Sequence, residues 1–301
     1  MIQRILNRFK GHPKVLVFVF HIANFIMSIL LWKIIGVKDF TKRRKILSLI
    51  VYHPLKLLNR DIILYNDRYG YYFLLHDTSS YGVMMLGHEG NVPLITYFLL
   101  RKMKDPVFID VGAHLGAYTL AFSKISKLVV AVEPNPINYL ILRKNLAINK
   151  IKNCIPVKFA LSYCDGTSYL YVSKFSDLHS LQKGRLDVAV DIVPVQTRTL
   201  DTLALRELKL SKIDLIKIDV EGAEVEVLEG MKETIKKYYP VLIIEVFQRN
   251  LKTIEEILNK HNYNIIKSIY QSIDPLTKEK HIYILAMKKC MNIVRSFTGV
   301  K

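Results

Sequence analysis

The stretch Val107–Pro136, VFIDVGAHLGAYTLAFSKISKLVVAVEPNP, contains the pattern that decides the fold. The apolar run before Asp110 predicts a buried strand, and residues 118–125 have the apolar spacing of a helix. A second apolar run, 128–132, predicts the next strand and is followed by Glu133. A strand, a glycine turn, a helix and a strand that ends in an acidic residue are typical of one half of a doubly wound nucleotide-binding sheet. In such a sheet the acidic side chain accepts the ribose hydroxyls.

The glycine spacing in this stretch excludes a dinucleotide site. A dinucleotide fingerprint has glycine at its first, third and sixth positions. When Gly112 is counted as the first position, the third is His114 and the sixth is Ala117. The remaining pattern, D-x-G-x-x-x-G followed by E-P-N-P, resembles the first two motifs of class I S-adenosylmethionine (SAM) methyltransferases. SAM has no pyrophosphate, so it does not need the tight phosphate-binding turn.

Length and composition favour one α/β domain with an extension. The 301 residues, half of them hydrophobic, can bury a large core. The three cysteines, Cys154, Cys164 and Cys290, have no C-x-x-C spacing. This disfavours a disulfide framework or a zinc site and favours a reducing, cytoplasmic setting. The predicted regions are 1–50 (basic, apolar N-terminal helix), 51–104 (hairpin and helix extension), 105–290 (methyltransferase domain) and 291–301 (tail).

The net charge of +18 is concentrated near the N-terminus. Residues 1–50 contain ten Lys or Arg and one acid, Asp39, and therefore carry +9, half of the excess. Within them, Val15–Trp32 is a run of 18 residues without a formal charge, the threshold length for a membrane span. Three interpretations remain open: a spanning helix, a helix in the membrane interface, and a helix packed on the protein's own core. The basic cluster 42–45 predicts attachment to the cytoplasmic face, in contact with anionic lipid.

The rest of the chain predicts alternating strands and helices. Residues 61–77 predict a β-hairpin, and 91–104 predict a helix with Asn91 as its cap. Alternating residues between 168 and 195 predict an inserted β-ribbon. The strands expected after this ribbon are 213–220, 241–247, 263–273 and 281–287. We therefore predict a Rossmann-like class I methyltransferase fold, with a seven-stranded, mostly parallel sheet whose last strand is antiparallel.

Six motifs together identify a family. In chain order they are DVGAHLGAYT (110–119), VEPNP (132–136), FALSYCDG (159–166), TRTLD (197–201), IKIDVEGAEVEVLEG (216–230) and LIIEV (242–246). The chain resembles the FkbM-type methyltransferases from about residue 108 to 287, and its motifs follow the family's order. The family's usual DVGANxG is DVGAHLG here, so His114 stands where asparagine is common. Residues 1–60 lie outside the resemblance.

The resemblance implies SAM as methyl donor and O-methylation of a hydroxyl on a sugar, glycolipid or other small-molecule or lipid-linked acceptor. It implies that the glycine turn holds the methionine part of SAM, that Glu133 binds the ribose diol and that later turns border the adenine. The implied cofactor-binding residues are Asp110, Gly112, Ala113, His114, Gly116, Glu133, Pro134, Asn135, Ala160, Leu161 and Ser162. Asp219 and Glu221 are implied at the reaction centre.

Acidic residues that follow two later strands indicate how a hydroxyl can be activated. A sugar hydroxyl needs a general base or a metal ion to become nucleophilic. Asp219, Glu221 and Glu245 are expected at the carboxyl ends of their strands, where ligands bind in an open α/β sheet. We predict Asp219 as the base, supported by Glu221; the alternative is that these three carboxylates hold Mg²⁺. Lys217 either approaches the site or pairs with one of the acids, and Glu224 is expected to stabilise the N-terminus of the next helix.

Two other functions remain open. The segment 133–151, EPNPINYLILRKNLAINKI, resembles the E-x-N-P region of tRNA-guanine methyltransferases, and a basic chain suits RNA. No separate RNA-binding module is evident, so nucleic acid is the less favoured partner. The other alternative is a membrane-bound scaffold without activity, against which the intact Glu133 and Asp219 argue. Four further polar residues are interpreted as ordinary loop residues: Tyr81, His88, Glu89 and His179. The alternative is that the first three contribute polar groups from a lid over the pocket and that His179 is a second base.

Overall fold

The computed structural model describes residues 62–66, 69–75, 89–173, 180–181, 189–273 and 280–289. The apolar segment 15–32 and the basic cluster 42–45 lie outside these residues. Across the described part of the chain, no helix combines the length and the apolar character needed to cross a bilayer. Tyr81, His88, His179, Cys290 and the tail 291–301 also lie outside the described residues.

Contacts group residues 1–88 and residues 89–301 as two separate units. In the first unit, the described residues form an antiparallel hairpin of β1, Ile62–Asn66, and β2, Tyr71–Leu75. Gly70, in the turn between them, has a φ of 71°, which a glycine adopts without steric cost. The predicted hairpin is therefore present.

The second unit alternates strands and helices as the sequence predicts. Its helices are α1 (Val92–Lys102), α2 (Ala117–Ser123), α3 (Pro136–Ile148), α4 (Glu224–Glu229), α5 (Lys232–Tyr238) and α6 (Leu251–Lys260). Its strands are β3 (Val107–Val111), β4 (Leu128–Val132), β5 (Cys154–Val157), β6 (Ala160–Leu161), β7 (Gly166–Ser173), β8 (Ala189–Arg198), β9 (Leu215–Ile218), β10 (Val241–Phe247), β11 (Tyr263–Ile273) and β12 (Lys280–Lys288). A π-helical turn at Thr202–Glu207 and a 3-10 turn at Gln248–Asn250 complete the described elements.

The main sheet has seven strands in the order β11-β12-β10-β9-β3-β4-β5. The strands from β10 to β5 are parallel, whereas β12 is antiparallel to both of its neighbours. This confirms the predicted Rossmann-like class I methyltransferase fold with its antiparallel last strand. Because the carboxyl ends of parallel strands meet at one edge, Asp110, Glu133, Asp219 and Glu245 all lie at the same edge of the sheet.

The two faces of the central strands have different chemistry. All residues of β3 and β10 are buried, as expected for a parallel sheet covered by helices on both sides. One face contributes apolar side chains to a core with α4, α5 and α6, among them Ile109, Ile216 and Ile244. Since neighbouring residues of a strand point to opposite faces, Asp110 and Lys217 lie on the other face, in register on adjacent strands. The sequence alternation therefore places polar groups on one face only.

Three predicted elements differ in detail. The predicted helix after Gly222 is split into α4 and α5 at Gly230, where a Cβ atom would lie 2.0 Å from the carbonyl oxygen of Ser162. Asn91 precedes α1 but makes no capping hydrogen bond through its side chain. The apolar spacing of residues 199–208 predicts a short helix, and this segment forms a π-helical turn. The β-ribbon is present, because β7 and β8 pair as an antiparallel hairpin, with β6 beside β8.

Candidate functional site

The turn between β3 and α2 is held by hydrogen bonds within the protein. The amides of Gly112 and Ala113 donate to the Val132 carbonyl at 3.0 and 2.9 Å. The amide of His114 donates to Glu133 Oε2 at 2.8 Å. These three N–H groups are already paired, so they do not form the open anion-binding concavity of a phosphate-binding loop. The turn is suited to a ligand without a pyrophosphate.

The backbone of this turn explains two of its residues. Gly112 has a φ of 81°, and a Cβ atom there would lie 1.7 Å from the carbonyl oxygen of Asp219. Only glycine allows the turn to approach the end of β9 so closely. His114 has a φ of 52°, and histidine, like asparagine, is enriched among non-glycine residues with left-handed backbone. Histidine can therefore replace the asparagine that is common at this position in FkbM-type sequences.

Glu133 lies at the carboxyl end of β4 with its side chain almost fully buried. Its Oε1 atom accepts the amide of Asn135 at 2.8 Å, while Oε2 accepts the amide of His114. Burial raises the pKa of Glu133 to about 7, although these two hydrogen bonds oppose the shift. The Asn138 side chain also donates to this carboxylate, so about one of its four lone-pair sites is left for a ligand hydroxyl. Pro134 leads to Asn135, whose Oδ1 caps α3 by accepting two amides at 2.9 and 3.1 Å.

The three residues predicted to border the adenine follow β5, the neighbour of β4. Ala160 and Leu161 form β6, which pairs with β8 rather than with the main sheet. Ser162 is buried, and its amide donates to the Arg198 carbonyl at 2.9 Å. These residues and Glu133 therefore lie beyond the ends of adjacent strands, at the same end of the sheet edge.

The predicted acidic residues form a second group at the ends of β9 and β10. Carboxylate oxygens of Asp219, Glu221 and Glu245 lie within 4.8 Å of one another. Lys217 Nζ donates to Asp219 Oδ2 at 2.6 Å, and the Tyr283 hydroxyl donates to the same oxygen at 2.8 Å. The structure thus brings together the four residues predicted at the reaction centre or as metal ligands.

Protons in this acidic group are unevenly distributed. Burial opposes the charge on Asp219, but the Lys217 ammonium and hydrogen bonds from Glu245, Lys217 and Tyr283 hold the pKa of Asp219 below its usual range. Burial raises the pKa of Glu245 well above its usual value, and the charges of Asp219 and Glu221 raise it further. These effects favour the ionised form of Asp219, whereas burial and the neighbouring charges favour the protonated form of Glu245, which is hydrogen-bonded to Asp219.

Lys217 supplies the positive charge at the centre of the site. Its side chain is buried and its Nζ lies 4.3 Å from the centroid of the Tyr118 ring. Burial lowers the pKa of Lys217, but the charges of Asp219, Glu89 and Asp110 outweigh this and raise the pKa above its ordinary value. The ammonium therefore stays charged and compensates several carboxylates at once.

Asp110 has one carboxylate oxygen free for a ligand. Its Oδ2 accepts the Thr119 hydroxyl at 2.6 Å, but its buried Oδ1 has no hydrogen-bond partner among the described residues. A buried carboxylate oxygen without a donor is uncommon and suits a cationic ligand group. The ammonium of the methionine part of SAM is such a group.

Three side chains of the site, Glu89, Tyr118 and Tyr283, were not predicted as site residues from the sequence. Glu89, interpreted as an ordinary loop residue, is buried and accepts a hydrogen bond from the Tyr118 hydroxyl. Tyr283 of β12 lies directly opposite Glu245 in the strand register. The alternation of side chains along residues 281–287, HIYILAM, could have indicated that Tyr283 faces the site, but only with the pairing of β12 and β10 known. No local pattern indicates Glu89, because its partner is 29 residues away.

Glu224 has a structural role beyond that predicted. It lies in the first turn of α4, as expected for an acidic residue near a helix N-terminus. Its Oε1 also accepts the amide of Gly222 at 2.6 Å, and its Oε2 accepts the Asn250 side chain at 3.2 Å. Burial raises the pKa of Glu224 to about 7, against these hydrogen bonds.

The variant Glu224→Gln is expected to reduce the pH dependence of stability. The pKa of Glu224 rises from 4.5 to about 7 on folding, so the unfolded chain loses this proton first as the pH increases. The free energy of unfolding should therefore fall from about pH 4.5 to about pH 7, by about 3 kcal/mol for this residue. Denaturant titrations at pH 5 and pH 8 measure the difference. Glu133 and Glu245, whose pKa values are also raised by burial, retain their own dependence in the variant, so part of the slope should remain; an unchanged slope would contradict the assignment.

Comparisons with known proteins show the family of this chain. Residues 110–265, just over half of the chain, match the family model described as "Methyltransferase FkbM domain". A curated relative is the tRNA(Phe) (4-demethylwyosine(37)-C(7)) aminocarboxypropyltransferase of Methanocaldococcus jannaschii. It is 26% identical over 134 residues, which are 40% of this chain and 52% of the relative. The chain therefore spans about half the length of this relative.

Three solved structures illustrate the fold. TYW2 from M. jannaschii, in complex with AdoMet, is 18% identical over 75% of this chain and 86% of its own, with a TM-score of 0.41. The methyltransferase FkbM from Methylobacillus flagellatus KT is 16% identical over 80% of this chain and 59% of its own, with a TM-score of 0.41. Precorrin-6y C5,15-methyltransferase from Geobacter metallireducens GS-15 is 17% identical over 66% and 89%, with a TM-score of 0.41. These values describe a likeness of fold only.

Proposed function

Because the chain belongs to the FkbM methyltransferase family and is a SAM-dependent methyltransferase, we propose that it methylates a hydroxyl oxygen. The acceptor is a sugar, a glycolipid or another small or lipid-linked molecule. The observation that carries this proposal is the group of three carboxylates, Asp219, Glu221 and Glu245, beside the glycine turn. Such a group can accept hydrogen bonds from an uncharged hydroxyl and repels a phosphate.

The proposed SAM site uses one charged group for each end of the cofactor. The free Oδ1 atom of Asp110 pairs with the ammonium of the methionine part. The Glu133 carboxylate binds the ribose diol by accepting a hydroxyl at the lone-pair site that its three protein donors leave, and Asn135 and Ser162 border the adenine. SAM supplies a methyl group that is already activated by its sulfonium, so the protein contributes mainly alignment for in-line displacement.

Asp219 is proposed to receive the proton of the acceptor hydroxyl. Lys217 and Tyr283 both donate to its Oδ2 atom, which fixes the position of the carboxylate. A carboxylate with a low pKa is a weak base towards a free hydroxyl. The hydroxyl proton becomes strongly acidic as the new C–O bond forms, however, so an ionised Asp219 can take it late in the displacement. Glu221 is proposed to assist Asp219 by accepting a hydrogen bond from a second hydroxyl of the acceptor, which helps to orient the acceptor.

The alternative of a Mg²⁺ site fits the donor set less well. Asp219 Oδ2 already accepts two hydrogen bonds, one of them from the Lys217 ammonium. Glu245 keeps its proton because burial and nearby carboxylates raise its pKa, and Mg²⁺ requires deprotonated oxygen ligands. A divalent ion would have to displace both the ammonium and this proton. We therefore propose that the base mechanism operates without a metal.

Labelled-methyl transfer tests the proposed acceptor class. Labelled SAM is incubated with the protein and a cell extract, and the label is then measured in lipid, glycan and RNA pools. We expect label in the lipid or glycan pool and the same rate with and without EDTA. Label in RNA alone would contradict the proposal, and a rate that EDTA abolishes and Mg²⁺ restores would establish the metal alternative.

The variant Glu133→Gln is expected to weaken SAM binding by roughly 10- to 100-fold at pH 8, because it removes the charge of the group that accepts a ribose hydroxyl. The pKa of Glu133 is raised to about 7 by burial, and the ionised form is the better acceptor. SAM affinity of the unmodified protein should therefore increase as the pH rises through 7, and the variant should lose this dependence. Calorimetry with SAM at pH 6 and pH 8 measures both effects. Equal affinities for the two proteins would rule out the ribose role.

RNA remains the second candidate acceptor, for one specific reason. The curated relative is an enzyme of tRNA(Phe), and the matched sequence extends over 134 residues. The segment 133–151 forms the end of β4 and α3, on which Arg143 and Lys144 are exposed. Binding of tRNA that weakens steeply with added salt, together with label in RNA, would favour this function.

Residues 1–50 are proposed to contact an anionic membrane surface. They carry a net charge of +9 and include the uncharged run 15–32, a combination that binds acidic lipid. This would bring the enzyme to a lipid-linked acceptor. Sedimentation with phosphatidylserine-containing vesicles, compared with purely zwitterionic vesicles, tests the contact; equal binding to both would contradict it.

A further inference from the structure

The acidic turn after β9 has an unusual backbone. Glu221 has a φ of 56° and Gly222 has a φ of 110°, so two consecutive residues are left-handed. Glycine adopts this conformation freely, but glutamate has a steric cost that persists only where the surroundings impose it. The Glu221 carboxylate belongs to the acidic group with Asp219 and Glu245. The conformation of this peptide therefore decides where a reaction-centre side chain points.

Three side chains from three different elements hold this turn. Glu224 of α4 accepts the amide of Gly222 at 2.6 Å, and the Asn250 side chain donates to the Gly222 carbonyl at 3.0 Å. The Ser180 hydroxyl donates to the Glu221 carbonyl at 2.7 Å. The first two hydrogen bonds fix the glycine, which has no steric preference to overcome. The bond from Ser180 acts on the strained residue itself.

Ser180 is itself anchored to the β-ribbon. It forms an antiparallel bridge with Tyr171 of β7, through backbone hydrogen bonds of 2.8 and 3.2 Å. Its side chain is buried, with 1% of its surface exposed. The hydroxyl is therefore presented from a paired backbone. Since β7 and β8 form one hairpin, the ribbon is connected to the acidic group through this serine.

We propose that Ser180 is a positioning residue that holds the Glu221 peptide in its left-handed conformation and thereby keeps the Glu221 carboxylate beside Asp219 and Glu245. The inserted ribbon is then part of the machinery that aligns the acceptor. The catalytic consequence rests on the proposed function, whereas the structural consequence can be measured without any acceptor.

The test compares Ser180→Ala with Ser180→Thr, which keeps the hydroxyl. Ser168→Ala is the matched control, because it removes a serine hydroxyl from β7, the strand with which Ser180 pairs, at a position opposite Val195. Hydrogen exchange of the amides around Gly222 should be roughly 10-fold faster in Ser180→Ala, because one restraining hydrogen bond is lost. Ser180→Thr and Ser168→Ala should exchange as the unmodified protein does.

A second readout follows the side chain of Glu221. Burial raises the pKa of Glu245, and charges on Asp219, Glu221 and Glu224 raise it further, while His281 Nδ1 contacts Glu245 Oε1 at 2.7 Å. If the Glu221 carboxylate moves away, the titration midpoint of Glu245 must fall. Carbon-13 NMR of labelled glutamate should show this fall in Ser180→Ala and in the reference variant Glu221→Gln, but not in Ser180→Thr.

Methyl transfer completes the test. Ser180→Ala should lower kcat by roughly 3- to 10-fold with an unchanged KM for SAM, and Ser180→Thr should restore it. An exchange rate or a Glu245 midpoint that is the same in Ser180→Ala as in the unmodified protein would overturn the proposal. If Ser180→Ala does not fold, Ser180→Cys, which retains a weak donor, replaces it. Absence of label in every acceptor pool would refute the proposed function but leave the exchange and titration results to decide the role of Ser180.

Discussion

Replacing Asp219 with asparagine is expected to lower the rate of methyl transfer by roughly 10²- to 10⁴-fold while SAM binding is retained. The asparagine side chain has the same size and can still accept hydrogen bonds from Lys217 and Tyr283 through its oxygen. It cannot take the proton of the acceptor hydroxyl. The rate is measured with labelled SAM and the acceptor pool that the unmodified protein labels, and SAM affinity is measured by calorimetry.

Stability has to be measured beside the rate in this experiment. Removing the charged partner of a buried cation destabilises a protein by about 3–5 kcal/mol, and Lys217 loses its closest carboxylate in the variant. Its neighbours Asp110 and Glu89 retain part of the compensation. The matched control is Asp191→Asn, which neutralises an exposed aspartate of β8 and should change neither property. Unchanged turnover in a folded Asp219→Asn protein would remove Asp219 as the base.

The strands of the main sheet were predictable because of how a parallel sheet is buried. Both faces of such a sheet are covered, so its strands are continuous apolar runs that stand out from the chain. The prediction for β10, residues 241–247, agrees with the structure at both ends. The runs before Glu133 and Asp110 were equally clear. The convergence of their terminal carboxylates then followed from the general rule that ligands bind at the carboxyl ends of the strands.

The side chains that surround these carboxylates were not predictable from local patterns. Tyr283 contacts Asp219 across 64 residues of sequence, and Glu89 contacts Tyr118 across 29. In the sequence, Tyr118 and Tyr283 look like ordinary aromatic residues of a helix and a strand, and Glu89 looks like a loop residue. Their role depends on pairing between distant segments, which single-sequence periodicity does not contain.

The acidic turn shows the same limit at short range. Glu224 was predicted to stabilise a helix N-terminus, but its carboxylate also closes the turn by accepting the Gly222 amide. This bond exists because Glu221 and Gly222 are both left-handed, a conformation that the motif DVEGAE does not reveal. Likewise, the break between α4 and α5 depends on the approach of Ser162 to Gly230. A close approach between two backbone segments leaves no pattern of apolar residues in the sequence.

Replacing Gly112 with alanine is expected to destabilise the fold by about 3–5 kcal/mol, the sum of a left-handed alanine and of overpacking. The added Cβ atom would lie 1.7 Å from the carbonyl oxygen of Asp219. Because that oxygen belongs to the backbone, the overlap is relieved only if the glycine turn and the end of β9 move apart. SAM binding and methyl transfer should fall together, since this movement separates the cofactor turn from the reaction centre. Denaturant unfolding and calorimetry with SAM measure the two effects.

The control for this prediction is Gly116→Ala, which shares the conformational cost but not the backbone overlap. Gly116 has a φ of 95°, and a Cβ atom there would lie 2.5 Å from Leu142 Cδ1. A terminal methyl group can move by side-chain rotation, so this variant should lose about 2 kcal/mol less stability than Gly112→Ala. Equal losses would mean that left-handed backbone alone explains both glycines. A larger loss of SAM affinity in Gly112→Ala instead requires that the contact between Gly112 and Asp219 sets the distance between cofactor and base.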